Sequence, residues 1–149
     1  MTAWISITNI LLTLAIAIFA FMQWKAVCMQ NKQNLFNLRI DLYDEINQII
    51  WDVLFDFMNI KDNVKDNSKS ASDIKLRSLE ITHNLLKIKH LFNDNVANIV
   101  QEFAKSAVLN SSDITKETDG TKLDFIEVFE KSDSVTQTFE EFFKNNNIT

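Results

Sequence analysis

WISITNILLTLAIAIFAFMQW, residues 4–24, decides how the rest of the chain is read. It carries no charge, and the first charged residue of the sequence is Lys25. Wound as a helix at about 1.5 Å per residue, the run reaches about 30 Å, the thickness of a bilayer's hydrocarbon core. Trp4 and Trp24 stand at its two ends, where amphipathic rings favour the headgroup level. The run predicts a transmembrane helix. Two other readings compete with it. A buried core helix seldom runs this far without a charge. A cleaved signal peptide needs a basic start and a small-residue cleavage site. Here Met1 to Ala3 holds no Lys or Arg, and Gln23-Trp24-Lys25 is bulky.

Beyond the run come Lys25, Lys32 and Arg39, with no acid before Asp41. Cations gather on the cytoplasmic side of a span, so residues 25–149 are expected in the cytoplasm and the short N-terminus outside. Thr2, just before the run, and Ser6, Asn9 and Thr13 within it recur at steps of four, three and four, and Ala17 and Ala20 continue the same face. Small and polar residues on one stripe are how membrane helices pack together or line a wet cavity. Hydroxyls can bond back to their own helix, which covers Ser6, Thr8 and Thr13 but leaves Asn9 unexplained. Partners from other copies of the chain are expected, and spacing leaves open a dry seam or a pore wall.

Residues 25–149 suffice for one domain with a core. Proline is absent and Gly120 is the single glycine, which favours long helices over a sheet. The net charge of -5 argues against a nucleic-acid grip, DNA included. Cys28, the single cysteine, excludes a disulfide framework within one chain. It sits at the expected interface, as a plain thiol or a lipidation point.

Apolar residues at Leu35, Leu38, Leu42, Ile46, Ile49, Val53, Phe57, Ile60 and Val64 predict a helix from Lys25 to about Asp66. Phe36, Tyr43, Ile50, Trp51, Leu54 and Phe55 widen its apolar face, as for a helix buried on more than one side. It either continues the span or breaks near Gln30–Asn34. DNSKSAS, residues 66–72, reads as a loop, with Ser70 or Ser72 capping the next helix. That helix runs to about Leu109 on Ile74, Leu79, Leu85, Leu86, Ile88, Phe92, Val96, Ile99 and Phe103, with a kink at Asn93–Asn95. NSSDITKETDGT, residues 110–121, is a linker. A last helix, about Lys122–Lys144, carries Phe125, Ile126, Phe129, Val135, Phe139, Phe142 and Phe143. The expected class is all-α, a membrane span followed by a long-helix bundle.

No Gly-rich phosphate loop, cysteine pair or serine-nucleophile elbow is present, so no cofactor or metal is expected. Asp41, Asp44 and Glu45 read as a solvated acidic face. His83 and His90 share a face two turns apart, too far to chelate one ion, and His90 and Asp94 could pair on the surface.

Arg77-Ser-Leu-Glu-Ile-Thr-His83 resembles the Arg…His motif of the HEPN superfamily of helical-bundle ribonucleases. That resemblance implies Arg77 and His83 as candidate catalytic residues meeting across a dimer. Within one helix, steps of six place them on different faces. The layout also resembles a group of small bacterial single-span helical proteins of antiviral defence. The residues that carry this are Leu35-Phe-Asn-Leu-Arg39 and Leu42-Tyr-Asp-Glu-Ile46, then Lys89-His-Leu-Phe92-Asn-Asp-Asn-Val96. The best likeness is to the membrane accessory proteins encoded beside the RNA-guided nuclease of type VI-B CRISPR systems. It implies a ring-like homo-oligomer in the bacterial inner membrane that depolarises it and supports the nuclease functionally. Three expectations follow: a membrane pore, a membrane-tethered ribonuclease, or a non-catalytic scaffold for a cytoplasmic partner.

Overall fold

The computed structural model describes residues 2–61, 67–114 and 125–146. They form four helices: α1 (Thr2–Lys61), α2 (Asn67–Leu91), α3 (Asp94–Ile114) and α4 (Phe125–Asn145). Among the described residues there is no strand. The chain divides into two units, Met1–Asn37 and Leu38–Thr149.

The first unit belongs to α1, which is unbroken through Gln30–Asn34. Gln, Asn and Lys weaken a helix only slightly, and neither Gly nor Pro is there to end it. Its apolar segment is long enough to cross a membrane, and none of it is buried. Ile10, Leu11, Leu14, Ile18 and Phe21 all stand exposed, so this is not a core helix.

The second unit is a four-helix bundle made of α2, α3, α4 and the part of α1 after Asn37. Contacts set the directions. Arg39 meets Leu91, Glu45 meets Asn84 and Asp52 meets Arg77, so numbers rise on α1 as they fall on α2. Tyr43 meets Phe139 and Phe57 meets Phe125, which makes α1 and α4 antiparallel as well. Lys131 of α4 pairs with Glu102 of α3. Up-down-up-down order is the simplest way to bury four apolar stripes at once.

The core rows have coiled-coil spacing. They are Ile46, Ile50, Val53, Phe57 and Ile60 on α1, and Ile74, Ile81 and Ile88 on α2. Val96, Val100, Phe103 and Ala107 line α3, and Val128, Val135, Phe139 and Phe142 line α4.

Several expectations need correction. Leu79 and Leu86, assigned to the core stripe of α2, are exposed, and Ile81 takes their place. Trp51 and Phe55 are exposed, so this part of α1 buries one broad face only. On α4, Ile126 faces outward. Residues 67–72 are helical rather than a loop. Ser70 and Ala71 are buried there, because small side chains let α2 approach its neighbours closely. Ser70 and Ser72 therefore cap nothing. The kink is a full break. α2 stops at Leu91, and the Asn93 carboxamide oxygen accepts the Val96 backbone N–H at 2.8 Å, which starts α3. Val64, the loop residue Asp66, most of the linker at 110–121 and the residues before Phe125 lie outside the described residues.

Candidate functional site

Two regions hold the candidate residues. The first is on α1 near its start. Asn9, Ile10, Thr13, Leu14 and Ala17 line a shallow concavity. The Thr13 hydroxyl donates to the Asn9 backbone carbonyl at 2.8 Å, so its polarity is met within the helix. The Asn9 carboxamide is exposed and makes no hydrogen bond among the described residues. Structure thus separates the stripe into one hydroxyl bonded within the helix and one amide with no bond among the described residues. Ala20 is exposed outside the concavity. Thr2 and Ser6 lie outside the described side chains.

The second region is an open groove of about 790 Å³ between α1 and α2, and both Arg77 and His83 line it. The Arg77 guanidinium is held by the Asp52 carboxylate through Nη1. Its Nε lies 3.3 Å from Oδ2 of the buried Asp56. Two carboxylates from α1 thus neutralise the charge that a phosphate would need. Glu45 and Glu80 line the groove as well, and with Asp52 they outnumber its cations, Arg77 and Lys87, by one. Asn84, buried, donates to Glu45 at 2.9 Å and locks the α1–α2 register. His83 is exposed and makes no hydrogen bond among the described residues.

Other candidates resolve simply. Asp41, Asp44 and Glu45 are exposed, and among the described residues no group of three or more His, Cys, Asp or Glu could hold a metal ion. Asp94 pairs with Lys89 at 3.0 Å rather than with His90, because the break at Asn93 puts it on another helix. Cys28 is a free, half-buried thiol.

Sequence reasoning passed over what its own motifs build. Arg39 Nε donates to the Leu91 carbonyl at 2.6 Å, and its guanidinium lies over the Phe142 ring, 5.1 Å from the centroid. Tyr43 packs edge-on against Phe139 and Phe143, and Phe92 against Phe139, Phe142 and Phe143. Arg39 and Tyr43 of α1, Leu91 at the end of α2 and Phe92 just after it therefore belong to one packing cluster with α4. Burial, then the carboxylates Glu140 and Asp44, pushes the Tyr43 phenol above its ordinary value of 10.0.

Comparison with protein-family models, curated proteins and solved structures returned no match. The resemblances rest on the quoted motifs alone.

Proposed function

We propose that this protein is a single-span membrane protein whose copies associate through the Asn9/Thr13/Ala17 face into a homo-oligomer that raises membrane permeability. The observation that carries the reading is Asn9, an exposed carboxamide with no hydrogen bond among the described residues, in a concavity on the uncharged part of α1. In hydrocarbon such an amide is costly unless another chain or enclosed water satisfies it. The cation bias after Trp24 favours the N-terminus outside and the bundle in the cytoplasm, and a bacterial membrane is what the resemblance implies. The role in antiviral defence is what the resemblance implies.

The mass of the detergent-solubilised particle, with detergent subtracted, is the first test. A discrete ring-sized oligomer is expected, followed by dye leakage from proteoliposomes that Asn9→Leu changes. A monomer, or tight liposomes at high protein density, removes the pore. The scaffold reading then gains, favoured by Trp51 and Phe55, which are exposed on the bundle surface. Arg77, engaged by two carboxylates in an acidic groove, gives the ribonuclease reading the least support.

A further inference from the structure

Helix α2 carries two seams. One, on Ile74, Ile81 and Ile88, is buried in the bundle. The other lies on the far side of the helix, where Leu76, Leu79 and His83 also border the open groove beside α1. Ser72, Leu76, Leu79, His83, Leu86 and His90 follow one another at steps of four, three, four, three and four. All six are exposed, with Leu76 at 61%, Leu79 at 59% and Leu86 at 81%. Unbroken alternation of threes and fours over about 27 Å of helix is the heptad pattern by which one helix interdigitates with another. A helix covering only its own bundle needs one such seam.

We propose that this outer seam of α2 is a homotypic interface, occupied by α2 of a second copy of the chain, parallel and in register. The charges beside the seam choose both occupant and direction. Lys75, Thr82 and Lys89 flank it on one side, and Asp73, Glu80 and Lys87 on the other. Parallel pairing sets Lys75 across from the partner's Glu80 in both directions and Thr82 across from the partner's Lys87, with no like charges facing. Antiparallel pairing brings Asp73 to the partner's Lys87 in both directions, but it also sets Glu80 against the partner's Glu80 and, in both directions, Lys75 against the partner's Lys89, so repulsive pairs outnumber attractive ones. Facing charges of this kind set partner and orientation in paired helices. His83 and His90 add polar layers that fix the register. Arg77 takes no part, since it is turned to Asp52 and Asp56 of its own α1.

Three leucines per copy bury far less than the roughly 1,200 Å² of a stable interface. The seam therefore works where copies are already concentrated, and in this respect alone it rests on the membrane reading.

The test is disulfide trapping of the full chain in liposomes. Each chain carries Cys28→Ser and one new cysteine, Leu79→Cys on the seam or Glu130→Cys on an exposed part of α4. Copper phenanthroline supplies the oxidant. Disulfide dimer several-fold above the Glu130→Cys yield is expected for Leu79→Cys. Adding Leu86→Lys, at an exposed position that leaves the bundle's circular dichroism intact, should bring the yield down to the control. Equal yields at the two positions, or no loss with Leu86→Lys, overturn the interface. Preferred heterodimers between Leu76→Cys and Leu86→Cys chains overturn the parallel register. Adding Asn9→Leu separates the two readings. Trapping that persists while leakage changes upholds the seam as a contact of its own, and trapping lost along with it overturns that independence.

Discussion

Arg39 Nε donates a hydrogen bond to the backbone carbonyl of Leu91 at 2.6 Å. That carbonyl is among the last of α2, which have no partner further along the helix. One side chain of α1 thus caps α2 while its guanidinium covers the Phe142 ring of α4. A cation there also suits the negative end of the α2 dipole. Arg39→Ala should lower bundle stability by about 1.5–3 kcal/mol, the usual range for a charged hydrogen bond. Arg39→Lys should recover only part of this, since an ammonium lacks the planar fork and stacking face. Thermal unfolding of the full chain in detergent, followed by near-ultraviolet circular dichroism, reads the difference. Equal stability of all three proteins would show that the cap contributes nothing.

Arg77 pairs with the buried Asp56, so its removal takes a cation away from a carboxylate held out of water. Arg77→Ala should cost about 2–4 kcal/mol, at the lower end because the arginine is partly exposed. Asp56→Asn added to Arg77→Ala should restore much of the loss. His83→Ala, at an exposed position, should stay within about 0.5 kcal/mol of wild type. Urea unfolding of the four proteins makes the comparison. A catalytic pair would show the reverse, with both variants folded as wild type and RNA cleavage lost in each.

Tyr43 is the single tyrosine, so ultraviolet titration of phenolate follows one residue. Its midpoint should lie above 10.0. The folded state favours the neutral phenol, so the unfolded chain releases its proton first as pH rises. The stability linked to Tyr43 is therefore complete below pH 10.0 and lost as pH climbs from there through the raised folded value. Tyr43→Phe should flatten this alkaline loss. A midpoint at or below 10.0 in the folded protein would contradict the burial assigned to the ring.

Ile81 and Leu86 test the phase of α2. Ile81→Ala opens space in a fully buried layer and should cost about 2–5 kcal/mol. Leu86→Ala removes an exposed side chain and should change bundle stability by about 0.5 kcal/mol or less. Comparable losses would mean that α2 is rotated from the orientation described.

Asn93 starts α3 by accepting the Val96 N–H, so Asn93→Ala should cost about 1 kcal/mol and Asn93→Asp little. Thermal midpoints of the two variants give the comparison, and equal losses would deny the cap.

The sequence alone determined the helical class and the candidate span. Lack of proline and near-lack of glycine leave few turns, and an uncharged run as long as a bilayer is thick can be counted along one dimension. It also marked the place near Asn93, as a kink where the structure has a full break, because an Asn-Asp-Asn run competes locally for backbone hydrogen bonds. Tertiary structure decided the rest. α2 bears two apolar rows at helical spacing, and periodicity weighs Ile74, Ile81 and Ile88 no more than Leu76, Leu79 and Leu86. Packing against the other helices chose the isoleucine row and left the leucines outside. Arg77 read as a free cation in a catalytic motif, yet its partners, Asp52 and Asp56, stand on another helix. Arg39 read as one more charge of the membrane-flanking set, and antiparallel packing of α1 and α2 brought it to the Leu91 carbonyl. Local pattern fixes what a segment can bury, but a side chain's partner depends on which helix folds against it, and that information is spread over the whole chain.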